Sequence, residues 1–144
     1  MKRLSAGAIA LALASTAVAA PHTAVAMTDY KWKYRPLVVF AKSEGVAPLA
    51  AQRRIVAANR PALAERNVVV IWVVGDSVSA ELGPEPGVSA SVLRSRFGAG
   101  DAAFRVLLVG KDGGTKLSSA APLGIAALNG TIDAMPMRRN EMRR

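Results

Sequence analysis

Three apolar runs, the third interrupted by Arg105, predict buried strands. They cover residues 37–40, 68–74 and 104–109, and the second run consists almost entirely of β-branched residues. Apolar runs of this length are typical of strands that are covered on both faces. A short fourth strand should begin at Lys116, because residues 111–114 just before it contain the Asp-Gly and Gly-Gly steps of a tight hairpin.

The segments between the strands predict three helices. Residues 49–59 are rich in alanine and follow Pro48, and proline is tolerated at the start of a helix. Ser89 is suited to cap a second helix over residues 90–97. A third helix is expected over residues 122–135, with a break at the proline that follows it.

The predicted element order is β-α-β-α-β-β-α. The first two strands should be parallel, since the segment between them is long enough for a helical crossover, and the closing hairpin must be antiparallel. We therefore expect an α/β domain with a mixed four-stranded sheet and helices on both faces. This is the element order of the minimal thioredoxin-like core.

The N-terminus predicts a secretory signal peptide over residues 1–26. Lys2 and Arg3 precede an apolar stretch at 4–14, and small-x-small patterns place cleavage after residue 19 or 26. The apolar stretch is shorter than the roughly 20 residues that span a bilayer. The alternative is an uncleaved N-terminal anchor. We expect a periplasmic or secreted protein, not transmembrane after signal removal, with a domain at 27–137 and a basic C-terminal tail at 138–144.

The composition excludes two kinds of chemistry. The chain contains no cysteine, which rules out thiol redox activity and cysteine metal sites. Its single histidine, His22, lies in or beside the signal peptide, so a mature form starting at Met27 lacks imidazole. That form would lack the usual general base at neutral pH and the commonest zinc ligand. We expect neither a metal nor a cofactor.

The topology indicates one candidate ligand site. Ligands of open α/β sheets bind beyond the carboxyl ends of parallel strands. Those ends carry Ser43 and Glu44 after the first strand, and Asp76 and Ser77 after the second. Two carboxylates facing a cleft would suit a cation or a proton transfer. The alternative is that these side chains only cap helices and solvate loops.

The charge balance indicates a second candidate site, for anions. Without Lys2 and Arg3, 17 of the 19 basic residues remain against 10 acidic ones. The basic residues at the C-terminus are Arg138, Arg139, Arg143 and Arg144. Arginine forks match phosphate and carboxylate groups, so an anionic surface or another exported protein is a candidate partner. Export makes nucleic acid a poor candidate. The alternative is a solvated tail without a partner.

An aromatic segment precedes the first strand. Tyr30, Trp32 and Tyr34 alternate, which predicts an extended piece with one face on the core. Exposed aromatic residues that bind a ligand are the alternative.

Several segments together resemble a bacterial family, domain of unknown function 4174. Among them are Tyr30-x-Trp32, the 110–114 segment Gly-Lys-Asp-Gly-Gly and the 133–139 segment Asp-Ala-Met-Pro-Met-Arg-Arg. The resemblance runs from about Tyr30 to Met142. It implies a thioredoxin-like or peroxiredoxin-like fold, and related domains occur in animal extracellular matrix proteins that carry sushi repeats. The family has no established activity.

The chain departs from redox proteins of that fold. A thioredoxin has Cys-x-x-Cys directly after its first core strand. At the similar position, this chain has Glu44-Gly45-Val46-Ala47. The sequence therefore predicts an exported, non-redox, thioredoxin-like domain that acts as a binding or structural module. The alternative is a cysteine-independent enzyme that uses Glu44 and Asp76.

Overall fold

The computed structural model describes residues 26–144, so the predicted signal peptide, apart from Ala26, lies outside the described residues. The described chain starts with a short 3₁₀ helix, Met27–Tyr30. The strands and helices that follow are β1 (Arg35–Ala41), α1 (Ala47–Ala58), α2 (Arg60–Glu65), β2 (Val68–Val74), β3 (Ser77–Glu81), α3 (Ala90–Arg96), β4 (Phe104–Val109), β5 (Thr115–Ser119), α4 (Ile125–Asp133) and α5 (Pro136–Met142).

The strands form one mixed sheet in the order β3-β2-β1-β4-β5. β1 and β2 are parallel, as predicted, with Arg35 opposite Val68 and Ala41 opposite Val74. The other three neighbouring pairs are antiparallel. The mixed α/β architecture is therefore confirmed, and the hairpin over residues 111–114 joins β4 to β5, where the Gly110 nitrogen donates to the Gly114 oxygen at 2.8 Å.

The predicted number of strands is wrong, because the sheet has five and not four. Gly75, at a φ of +56°, lets the chain reverse after β2, and β3 then pairs antiparallel with β2 at the edge of the sheet. β3 was not recognisable because its only β-branched residue is Val78, and half-buried edge strands need little apolar surface.

The core lies on both faces of the sheet. Every residue of β1 and β2 is buried. On one face Leu37 and Val39 pack with buried residues of α1, α2 and α4. On the other face Val38 and Phe40 pack with α3 and with the 3₁₀ helix. The continuous apolar runs of these two strands follow from this coverage on both sides.

The helices follow the predicted positions, with two additions. The Ser89 side chain caps α3 by accepting a hydrogen bond from the Val92 nitrogen at 3.3 Å. α2 follows α1 almost directly, and α5 begins at the proline that was expected only to end α4. Within residues 26–144, no helix has both the length and the apolar character needed to cross a membrane.

The basic residues at the C-terminus require a correction. Residues 136–142 form α5, so most of the tail expected at 138–144 is helical. Arg138 is buried, because its side chain packs into the domain and pairs with carboxylates there. The folded unit thus extends to the end of α5.

Candidate functional site

The residues predicted to bind a ligand lie in loops and at a strand start beyond the carboxyl ends of β1 and β2. Ser43 and Glu44 are exposed in the segment between β1 and α1. Asp76 is exposed in the turn between β2 and β3, and Ser77 is the first residue of β3. These four residues therefore lie at the end of the sheet where the sequence placed them.

The two carboxylates at this end are not brought together in one cavity. The Glu44 side chain is 74% exposed and pairs with Arg53 at 3.1 Å. Arg53 in turn lies over the Trp72 ring, 5.0 Å from its centroid. Asp76 instead lines a polar cavity of about 340 Å³, whose lining does not include Glu44. Nothing in this arrangement supports a shared proton transfer between Glu44 and Asp76.

A cluster of buried charges occupies the opposite end of the sheet. Arg35, at the start of β1, is 1% exposed, and its guanidinium donates to both oxygens of Glu141 in α5 at 3.2 and 3.3 Å. Lys111, at the start of the β4–β5 hairpin, donates to Glu141 at 2.5 Å and to the side-chain oxygen of Asn67 at 2.9 Å. One carboxylate therefore serves two buried cations.

A second set of ion pairs holds α5 against α2 and α4. Arg138 donates to Glu65 at 3.0 Å and to Asp133 at 3.2 Å. Arg66 donates to both oxygens of Asp133 at 3.0 and 2.9 Å. Bidentate arginine–carboxylate pairs of this kind are directional, and their hydrogen bonds are stronger than those between neutral groups.

The surroundings fix the ionisation of these carboxylates. Burial alone would raise the pKa of Glu141, but hydrogen bonds and charge from Lys111 and Arg35 outweigh it and hold the pKa below its usual range. The hydrogen bond from Arg66, aided by Arg138, likewise lowers the pKa of Asp133. Both groups are therefore ionised at neutral pH.

Trp32 lies beside the buried charges, and both its exposure and its backbone conformation are unusual. Its side chain is 64% exposed, and its φ is +68°, a backbone conformation that bulky residues rarely adopt. Its nitrogen donates to the Lys111 oxygen at 2.8 Å, which ties it to the hairpin. The predicted extended aromatic segment is wrong here, because Tyr30 ends the 3₁₀ helix and is buried, while Trp32 alone of the three aromatic residues points into solvent.

Two adjacent cavities surround Trp32, with volumes of about 260 and 310 Å³. Trp32, Lys111 and Met137 line both, and we call the combined space the Trp32 cleft. The first cavity is also lined by Arg35, Gly110, Asp112, Lys116, Met135 and Pro136, and the second by Asn140, Glu141 and Arg144. The cleft combines an aromatic ring and thioethers with charged groups.

The buried cations that line the cleft have unused hydrogen-bond donors. Arg35 Nε is buried and has no acceptor among residues 26–144. The Lys111 ammonium has three N–H donors, and the structure assigns it two acceptors, in Asn67 and Glu141. The side chains that line the cleft include four cations and only two carboxylates. This arrangement is suited to an anionic group.

The four C-terminal arginines are not equivalent. Arg138 is buried and paired within the domain, and Arg144 lines the Trp32 cleft. Arg139 and Arg143 are exposed and line neither cavity of the cleft. Of the predicted anion-binding set, the structure thus brings only Arg144 to the cleft.

The same end of the domain offers little to a metal ion. Among residues 26–144, no three His, Cys, Asp or Glu side chains group closely enough to hold one. Met135 and Met137 line the cleft and thioethers bind soft metals, but the surplus of cations around them opposes a bound cation.

The segments that suggested a family resemblance meet at this cleft. Trp32, the hairpin beginning at Gly110 and the 135–137 segment Met-Pro-Met all line it. No match was found among curated proteins or among solved structures. The family model described as "Domain of unknown function (DUF4174)" matches residues 26–141, and the chain therefore belongs to this family of domains of unknown function.

Proposed function

We propose that this protein is an exported, non-redox, thioredoxin-like binding module whose ligand occupies the Trp32 cleft. The observation on which this rests is the pairing of an exposed, conformationally strained tryptophan with two buried cations that share one carboxylate. Strained backbone and incompletely satisfied buried charges are found more often at functional sites than elsewhere.

The order of the elements supports the thioredoxin-like assignment. β1, α1 and β2 form a parallel β-α-β unit, and β4, β5 and α4 form a β-β-α unit after α3. This is the element order expected of the thioredoxin-like core, with β3 added at one edge and α5 added at the end.

Export is supported by the charged start, the short apolar stretch and the small residues of the N-terminal segment.

The 3₁₀ helix begins at Met27, and the Ala26 nitrogen donates to Asp29 at 2.9 Å. Cleavage after residue 19 would keep this contact, whereas cleavage after 26 would remove it. The intact mass of the exported protein distinguishes the two sites, and recovery of the full-length chain would contradict export with cleavage.

The enzyme alternative has less support. It requires Glu44 and Asp76 to act together, yet Glu44 is paired with Arg53 and lies outside the cavity that Asp76 lines.

The binding function can be tested with the two tryptophans of the chain. Trp32 is exposed in the cleft, whereas Trp72 is buried and its indole donates to Glu81 at 3.0 Å. We would record the two indole N–H signals of ¹⁵N-labelled protein by NMR while adding a library of acidic, basic and neutral fragments. Trp32→Phe assigns the signals.

We expect one chemical class of fragments to shift the Trp32 signal and to leave the Trp72 signal unchanged. If no fragment shifts the Trp32 signal, or if both signals move together, the cleft is not a specific binding site.

A further inference from the structure

We propose that the ligand of the Trp32 cleft is a small organic acid, with its anionic group at Lys111 and Arg35 and its apolar body against Trp32 and the cleft methionines. This inference rests on the proposed function, because it names the ligand class of the same cleft. Separate observations support the anionic group of the ligand and its apolar body.

The anionic group of the ligand is inferred from the positive charge and the hydrogen-bond donors that the fold leaves unpaired. Glu141 accepts from both Arg35 and Lys111, and Arg138 also lies 3.7 Å from it, so more than one positive charge faces this carboxylate. Arg35 is 1% exposed and Lys111 8% exposed, and removing charges from water is costly unless opposite charge compensates them. An added carboxylate would accept the unused Lys111 donor and bring the local charge to balance.

A positively charged ligand fits this environment poorly. Asp112 lines the cleft, but it is already paired with Lys116 at 2.9 Å, and Glu141 is paired with Arg35, Lys111 and Arg138. No carboxylate in the lining is therefore left to compensate an incoming cation.

The apolar half follows from the remaining lining. The cavity of about 260 Å³ is bounded by the Trp32 ring, Pro136 and the side chains of Met135 and Met137. Methionine adapts its shape to apolar and aromatic groups, and a ring that stacks on an exposed tryptophan shields the covered face from water. An inorganic anion would leave this surface uncovered, and an organic acid would bury it.

The proposal predicts discrimination between an acid and its neutral analogue. Titration calorimetry of the purified protein with phenylacetate and with phenylacetamide compares two probes of nearly equal shape. Since hydrogen bonds to charged groups contribute more than neutral ones, phenylacetate should bind about tenfold more tightly. Inorganic phosphate, which lacks the apolar body, should bind more weakly than phenylacetate.

Variants should assign the preference to the cleft. Lys111→Met should remove the preference for the acid, and Arg144→Met, at the rim of the second cavity, should reduce it. Arg139→Met also removes one positive charge, but at a position of α5 outside the cleft. This variant should keep the preference for the acid. Circular dichroism checks that each variant is folded. If Lys111→Met does not fold, the effect of Arg144→Met on the preference for the acid tests the proposal.

The failures of the two proposals are distinguishable. If phenylacetamide binds as tightly as phenylacetate and both shift the Trp32 indole signal, the cleft binds ligands but the acid assignment is wrong. Phosphate binding as tightly as phenylacetate would overturn the organic part of the assignment. If the fragment library leaves the Trp32 signal unmoved, the binding function fails with it.

Discussion

Trp32 combines an exposed aromatic ring with a left-handed backbone, and the second property can be separated from the first. Glycine adopts a positive φ without steric cost, whereas alanine keeps the cost of the Cβ atom. Trp32→Gly should therefore be more stable than Trp32→Ala by about 1 kcal/mol in urea unfolding. Both variants lose the ring, so both should lose ligand binding. Equal stability of the two would mean that the backbone at Trp32 holds no strain.

Glu141 is the single acceptor shared by Arg35 and Lys111, and its charge should matter for stability. Glu141→Gln leaves two buried cations without compensation and should lower the free energy of unfolding by about 2–3 kcal/mol. Glu44→Gln breaks an exposed ion pair with Arg53 and is the matched control, with an expected change below about 0.5 kcal/mol. Similar changes in the two variants would show that Glu141 is no more than a surface partner.

The residues of the buried charge cluster could not be found from local sequence. Arg35 and Glu141 are 106 positions apart, and Lys111 and Asn67 are 44 apart, so no spacing connects them. The aromatic segment did give a signal, since exposure for ligand binding was one interpretation of the alternating rings. The sequence could not say which of the three rings was exposed, because the 3₁₀ helix turns Tyr30 inward.

At the scale of elements, the apolar runs predicted β1, β2 and β4 because these strands are covered on both faces and are therefore mostly apolar. β3 and α5 escaped prediction for the opposite reason. β3 lies at an edge and is half-buried. In α5 the buried position is held by Arg138, while Met142 is exposed, so no apolar face marks the helix.

α5 is attached to the domain through charges, which makes its removal costly. Deleting residues 136–144 removes Glu141 and Arg138 together. The buried cations Arg35 and Lys111 lose their shared carboxylate, and Glu65 and Asp133 each lose the pair with Arg138, although Asp133 keeps Arg66. We expect a loss of about 3–5 kcal/mol, the range for breaking a buried ion pair.

The control for this deletion keeps the helix and removes only its exposed charges. Arg139→Gln combined with Arg143→Gln should unfold at the same urea concentration as the parent protein, because neither side chain is buried. A deletion as stable as this double variant would mean that α5 contributes nothing to the fold.

At the scale of the whole molecule, stability should fall at acidic pH as the buried carboxylates are protonated. Glu141 and Asp133 have pKa values lowered in the folded state, so their contribution is complete above the pKa of the unfolded chain. It is lost as the pH falls from about 4 through the lower folded values. No histidine lies within residues 26–144, so none titrates there near neutrality.

Urea unfolding from pH 8 to pH 3 measures this dependence. We expect a plateau down to about pH 5 and a decline below it, with a shallower decline for Glu141→Gln. A steep change between pH 6 and 7 would contradict this assignment of the titrating groups.

The topology of the whole sheet explains why the sequence indicated a different end of the sheet from the cleft that we propose. Ligands of parallel sheets bind at the carboxyl ends of the strands, and Asp76 does line a cavity there. The Trp32 cleft instead lies at the amino end of β1, where the antiparallel β4 delivers Lys111 and α5 delivers Glu141. The sequence contained these residues but not the sheet order that brings them together.

The central claim, that ligand binds at the amino end of β1, is tested most directly by mapping backbone amide shifts of the ¹⁵N-labelled protein on addition of phenylacetate. We predict the largest shifts at Trp32, at residues 110–116 and at residues 135–137. Shifts concentrated instead at Lys42, Gly75, Asp76 and Asp101 would place the site at the carboxyl ends of the strands and contradict the account.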